Sequence, residues 1–321
     1  MIVLTGAAGF IGSCLLAKLN AIGRQDLIIV DHLNDAQKKE NLKDKKYTEY
    51  YDKKDFLEIV TNDKLDKSVD LVIHMGACSS TILQDAQYFE ENNFQYSCRL
   101  AEWCLKHRAR LIYASSAATY GDGAQGYRDD HARTHLLKPL NLYGLSKQKF
   151  DLWVLDHSAM NQCVGLKFFN VFGPNEYHKG EMRSVIAKVY DRVKREGKIN
   201  LFKSYQSGYR HGEQKRDFIY IKDAVNIVMF FYHHSDIHGI FNAGTGQSRT
   251  WNELAGALFA AVGRKPCIEY TEMPDYLKEK YQYFTEADMS KLRKAGYQKN
   301  FMSLEDSVKD YAAYLDQHAY I

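Results

Sequence analysis

An α/β fold built on a doubly wound parallel sheet, with a smaller discontinuous domain towards the C-terminus, is what this sequence predicts, and three observations predict it. The chain opens MIVLTGAAGFIGSCLLAKLNAIG, a β-rich run, a glycine-punctuated turn, and then apolar residues at helical spacing (Ile11, Leu15, Leu16, Leu19). DLIIVD at 26–31 follows and completes a βαβ unit. Further apolar runs at 71–77 (LVIHMGA), 110–116 (RLIYASS) and 164–173 (VGLKFFNVFG) alternate with helical stretches such as FQYSCRLAEWCLKH. Strands that alternate with helices imply a parallel sheet covered on both faces, an arrangement of the Rossmann type.

After Gly173 the alternation loosens into charged and aromatic segments, and strand-like runs return at 217–221 (DFIYI) and 239–244 (GIFNAG). The expected division is a dinucleotide-binding domain at 1–173, with sheet segments from 217–246 returning to it, and a substrate-binding domain made of 174–216 and 247–321. KSYQSGYRHGEQK at 203–215 reads as an exposed loop, and no internal repeat is evident.

Composition narrows the function classes. With 321 residues, 45% hydrophobic and 26% charged, the chain is that of a globular enzyme with a substantial core. A net charge of +3 is too small to argue for nucleic acid, although a basic cleft for a small anion is compatible with it. The six cysteines show no CxxC spacing, so neither a disulfide framework nor a metal site is expected. No apolar run is long enough to span a bilayer, and no basic leader precedes the first strand, so the expected location is cytoplasmic.

Gly6, Gly9 and Gly12 fall between a strand and a helix, where small residues let a pyrophosphate approach backbone N–H groups at a helix N-terminus. Asp31, at the end of the second strand, stands near the twenty-residue offset at which an acid holds ribose hydroxyls. Such an acid favours NAD and repels a 2′-phosphate, yet Lys38, Lys39 and Lys53 follow and could neutralise one. Spacing leaves NAD and NADP even, and QKKENLKDKK is equally compatible with a solvated face.

Chemistry is indicated further on. In LNLYGLSKQKF, Tyr143 and Lys147 lie four apart on one helix face. A phenol is a poor base near neutrality, and an adjacent ammonium is expected to lower its pKa, while the same lysine can bind the nicotinamide ribose. Ser116, in YASSAATYG, can supply a second hydrogen bond to a substrate oxygen.

TGAAGFIG, YASSAATYG, YGLSK, NVFGP, RDFIYIKDA and NAGTG, in this order over nearly the whole chain, resemble the extended short-chain dehydrogenase/reductase family of NAD-dependent epimerases and dehydratases. MGACSST (75–81), ENNFQYS (91–97), HKGEM (178–182) and EKYQYFTEADMSKLRKAGY (279–297) are similar to members that epimerise an ADP-activated heptose at C6. The resemblance implies bound NADP, with NAD possible, and a homo-oligomer, a pentamer being the expected form. Cofactor contacts carried over are Phe10, Ile11, Asp31, His32, Met75, Gly76, Ala77, Cys78, Ser79, Asn92, Val171, Lys147 and Lys179, with Lys38 and Lys53 at the phosphate or ribose. His32 and Met75 stand where asparagine and glutamate are common. Substrate contacts implied are Ser116, Asn170, Glu181, Lys188, Phe202, Lys203, Ser204, Tyr205, Arg216 and Tyr281. Glu181 and Lys188 replace a serine and a histidine often found there. No metal is implied.

The resemblance also gives Lys179 a role. Inversion at an exocyclic C6 requires the intermediate ketone to turn about C5–C6, which moves its oxygen. One acid/base on a helix cannot serve both positions, since proton transfer needs about 2.6 to 3.2 Å between heavy atoms. Tyr143 on one side and Lys179 on the other are the expected pair, Lys179 needing a depressed pKa to act as a base. His178, Asn242 and Gly244 are expected to be structural. A 4-epimerase or a 4,6-dehydratase on the same scaffold is the alternative; the first has no need of Lys179, and AATYGDG lacks the Asp-Glu pair of the second.

Overall fold

The computed structural model describes residues 1–157, 159–278 and 281–321, so the first two residues of the 279–297 stretch lie outside the described residues. Among the described residues twelve strands occur in chain order: β1 Ile2–Thr5, β2 Leu27–Asp31, β3 Glu49–Asp52, β4 Leu71–His74, β5 Arg110–Ser116, β6 Cys163–Phe168, β7 Asn170–Phe172, β8 Ile199–Phe202, β9 Lys215–Tyr220, β10 Gly239–Ala243, β11 Ser248–Thr250 and β12 Ile268–Thr271. The longer helices are α1 Phe10–Ala21, α2 Lys53–Thr61, α3 Tyr96–His107, α4 Leu142–Asp156, α5 Val185–Glu196, α6 Ile221–His233, α7 Trp251–Ala261 and α8 Leu304–Gln317.

Seven strands form one sheet in the order β10-β6-β5-β4-β1-β2-β3, every pairing parallel. Every residue of β1, β2, β4 and β6 is buried, as a sheet covered on both faces demands. Two apolar cores result, one containing Leu4, Leu15 and Ile29, the other Val3, Val30 and Leu100. The strand order reverses between β1 and β4, and ligands of open α/β sheets bind in the crevice at such a reversal.

Of the segment 217–246, Gly239–Ala243 joins this sheet at its edge. Lys215–Tyr220 instead forms the centre of a three-stranded sheet between β7 and β11, because Phe172 pairs it to the strand leaving the main sheet. β8 and β12 make a separate parallel pair. The DYAAYL helix, α8, packs on α7 with Val308, Tyr311 and Ala312 buried, so that this face covers the core. Among the described residues no helix is long and apolar enough to cross a membrane, and no His/Cys/Asp/Glu cluster could hold a metal ion.

Candidate active site

A cavity of about 780 Å³ opens over the β1/β4 reversal. Its floor is the first βα turn. Gly6 has φ +67°, and a Cβ there would stand 2.6 Å from Gly76 N; one on Gly12 would stand 2.0 Å from Gly6 O. Any side chain at either position would therefore fill the turn. Gly9 is the N-cap of α1 and offers no side-chain hydrogen bond to the first N–H groups, which leaves them for an anion. A cradle of this shape, ahead of a 12-residue helix, fits a dinucleotide's pyrophosphate.

Gly6, Gly9, Phe10, Ile11, Gly12, Asp31, His32, Lys38, Lys53, Met75, Gly76, Ala77, Cys78, Ser79, Asn92, Ser116, Tyr143, Lys147, Asn170, Val171 and Lys179 all line this one cavity. Both oxygens of Asp31 are engaged: Oδ2 accepts from Ala8 N at 2.8 Å, and Oδ1 accepts from His32 N and from Lys38 Nζ, both at 2.7 Å. Lys53 Nζ donates to Asn92 Oδ1 at 2.8 Å, and burial, with Lys38 and Lys54 adding to it, lowers its pKa. His32 Nδ1 lies 2.8 Å from Asp52 Oδ2.

On the far side of the reversal, Ser116 ends β5 and Tyr143 and Lys147 open α4, whose N-cap Asn141 accepts from Gly144 N at 2.8 Å. Lys147 Nζ donates to Ala114 O at 2.7 Å, and burial lowers its pKa to about 8. The Tyr143 phenol is pushed up by burial, and the Ser116 hydroxyl bonded to it opposes this. Both groups are desolvated, and desolvation penalises the charged form of each.

Below them lies a buried ion pair. Lys167 Nζ and Asp151 Oδ2 are 2.6 Å apart; Asp151 also accepts from Tyr113 OH (3.0 Å) and Ser115 Oγ (2.8 Å), and Lys167 donates to Thr119 Oγ1 (2.7 Å). These bonds tie α4 to β5 and β6 directly under the Ser116–Tyr143–Lys147 group. Lys179 enters from a different quarter, a short 3-10 segment at Tyr177–Met182. Its Nζ lies 5.0 Å from the centroid of the Phe10 ring, and burial lowers its pKa while Glu176 opposes. The shift has the direction a base requires.

The implied substrate residues divide. Arg216 is buried and stacks over Tyr281 (5.1 Å) and Trp251 (5.9 Å), and Trp251 is itself in the cavity wall. Tyr205 N donates to Tyr283 OH at 3.0 Å, the Tyr281 and Tyr283 rings meet edge to face at 5.4 Å, and Lys203 pairs with Glu272 at 2.5 Å. Ser204 N donates to His211 Nδ1 at 3.0 Å, and Phe202 is exposed at the end of β8. Phe202 to Tyr205, Arg216 and Tyr281 are thus outside the main cavity. Glu181 and Lys188 are exposed and outside it as well, Lys188 Nζ donating to Glu181 O at 3.3 Å. Met182, Arg183 and Ser184, which the sequence did not single out, occupy the wall there, with Tyr88, Phe218 and Trp251. Met182 closes HKGEM and Phe218 lies in RDFIYIKDA, and the others belong to no motif.

Comparison with known proteins agrees with this geometry. Residues 2–244 match the NAD dependent epimerase/dehydratase family. A Nitratidesulfovibrio vulgaris protein named ADP-L-glycero-D-manno-heptose-6-epimerase is 50% identical over 311 residues, covering 97% of this chain and 96% of that one. Among solved structures, the Helicobacter pylori ADP-L-glycero-D-manno-heptose-6-epimerase superposes with a TM-score of 0.82 at 26% identity, covering 98% and 96% of the two chains. The Thermotoga maritima UDP-glucose 4-epimerase, with UDP-glucose, follows at 0.80 and 25%, covering 99% of each. Likeness to these solved structures does not separate the two reactions, whereas the 50% identity to the N. vulgaris heptose epimerase does.

Proposed function

The chain belongs to the NAD dependent epimerase/dehydratase family, and from that premise we propose that it interconverts ADP-D-glycero-β-D-manno-heptose and ADP-L-glycero-β-D-manno-heptose, an isomerase step towards a lipopolysaccharide core precursor. The observation that carries the reading is Lys179, a half-buried lysine lining the same cavity as Tyr143 from a different segment. Two acid/bases suit a carbonyl that must turn between the removal and the return of hydrogen.

A bound nicotinamide cofactor, held by the glycine turn and Lys147, would supply the hydride acceptor and donor for C6. Ser116 and Tyr143 hold the C6 oxygen in one orientation, and Tyr143 moves its proton. Lys147 orients the cofactor ribose. Lys179 exchanges the proton when the oxygen has swung to the other side. Arg216, buried without a carboxylate partner among the described residues, is suited to clamp the diphosphate bidentately, and residues 174–216 and 247–321 supply the substrate-binding part of the fold.

NADP is the proposed cofactor rather than NAD. With both oxygens of Asp31 engaged and Lys38 paired to it, the acid no longer repels a 2′-phosphate, and Lys38 and Lys53 offer cations beside it. A homopentamer in the cytoplasm completes the reading, to be checked by light scattering and fractionation.

The test is proton NMR of ADP-D-glycero-β-D-manno-heptose with purified protein in D₂O and no added cofactor. The expected result is the C6 epimer with H6 unlabelled, as direct hydride transfer requires. No change even after NADP is supplied would return the chain to another sugar nucleotide of the same family.

A further inference from the structure

Lys179 sits in a segment that has no regular ladder beneath it, a 3-10 turn kinked at Gly180 (φ +52°, ψ −124°). The three residues that lead into it are nevertheless buried, and each is tied to a different part of the molecule. Asn175, in the left-handed region at φ +74°, donates to Ser13 Oγ on α1 at 2.9 Å and accepts from Ile321 N at 2.8 Å. Glu176 accepts from Ser184 N and Ser184 Oγ at 2.6 Å each, and from Tyr311 OH on α8 at 2.9 Å. Tyr177 packs against His318 at 4.4 Å and Tyr320 at 5.1 Å between ring centroids. From the cofactor side, Asn41 donates to Ala8 O in the glycine turn at 2.9 Å and to Asn175 O at 3.1 Å.

We propose that Asn175, Glu176 and Tyr177, held by α8 and by His318–Ile321, form a bracket that positions Lys179 against the cofactor turn. Neither these three residues nor residues 318–321 line the cavity, so they are positioning residues and not catalytic ones. The inference rests on the reading of Lys179 as the second acid/base.

Its physical basis is the character of the bonds. Glu176 is fully buried and has three donors; in so dry a setting such bonds are short and strong, and losing one leaves a polar group unsatisfied. The bracket therefore holds as a unit. A displacement of about 1 Å at a reacting group is enough to cost on the order of a hundredfold in rate. Asn175 joins helix α1, on which the cofactor turn opens, to the tail, so that Lys179 and the cofactor share one frame.

Asn175→Gly and Glu176→Gln test this, measured beside Lys179→Ala. Glycine keeps the positive φ without strain and removes only the side chain. The expected result for both bracket variants is a kcat lowered by about tenfold to a hundredfold, with KM within about twofold and the content of bound cofactor unchanged. Should Glu176→Gln fail to fold, Asn175→Gly decides alone. Parent kcat in Asn175→Gly with an inactive Lys179→Ala overturns the bracket and leaves the two-base reading standing. Parent kcat in Lys179→Ala overturns that reading, and the bracket with it.

Discussion

Tyr143 and Lys179 face one cavity from supports of different kinds. Tyr143 lies in the first turn of a 15-residue helix, tied to β5 and β6 and underpinned by the Asp151–Lys167 pair. Lys179 lies in an irregular turn held by side-chain bonds to α1, α5, α8 and the tail. The first support rests on backbone periodicity and recurs throughout the fold. The second depends on a few polar side chains meeting across long stretches of sequence, as Glu176 and Tyr311 do. A family that keeps the first and varies the second can keep hydride chemistry while changing which oxygen positions are served.

The largest break in that comparison is Lys179→Ala. Epimerisation should fall by about 10²- to 10⁴-fold, the usual span for a lost acid/base, with cofactor still bound. Tyr143→Phe should cost a similar factor from either epimer. Undiminished turnover in Lys179→Ala, followed by NMR, would end the two-base assignment.

Next in size is Asp151→Asn, which strikes the regular side alone. It leaves Lys167, 2% exposed, without its counter-ion, and should lower stability by about 3–5 kcal/mol in urea unfolding. A double change to Asp151→Leu and Lys167→Met should recover much of that loss. If Asp151→Asn is as stable as the parent, the pair does not underpin α4.

A smaller effect concerns His74, buried between Thr5 Oγ1 (2.6 Å) and Ser97 Oγ (3.0 Å), its pKa lowered to about 3 by burial and then by Lys147. A histidine with a depressed folded pKa contributes stability that is present above its unfolded value of 6.5 and is lost as pH falls towards 3. Between pH 7 and pH 5 this group should cost about 2 kcal/mol, read as a drop in the urea midpoint. His74→Gln should flatten that part of the profile, and an unaltered slope would show that His74 does not set it.

The smallest is Lys38→Ala, which should weaken retention of NADP relative to NAD by about tenfold, roughly the 1.4 kcal/mol of one lost phosphate contact. Equal loss of both cofactors would mean that Lys38 only steadies Asp31.

Much of the fold was legible because it obeys local rules. The glycine turn, the strand runs and the Tyr143/Lys147 spacing each occupy a few consecutive residues, and the structure places them around one cavity. Lys215–Tyr220 was legible as a strand but not as part of a small sheet, since its partners β7 and β11 are distant along the chain, one before it and one after: Phe172 pairs with Tyr220 and Ser248 with Asp217. The wall formed by Met182, Arg183 and Ser184 gave no pattern of its own.

By itself the sequence determined the parallel α/β sheet, the dinucleotide turn and the family, because periodicity, glycine placement and motif order act over short spans. Only the tertiary structure decided that burial raises the Tyr143 phenol, that Lys38 pairs with Asp31, and that Asn175 to Tyr177 meet the tail. Desolvation and long-range side-chain bonds depend on what surrounds a residue in space, and spacing along the chain carries no measure of that.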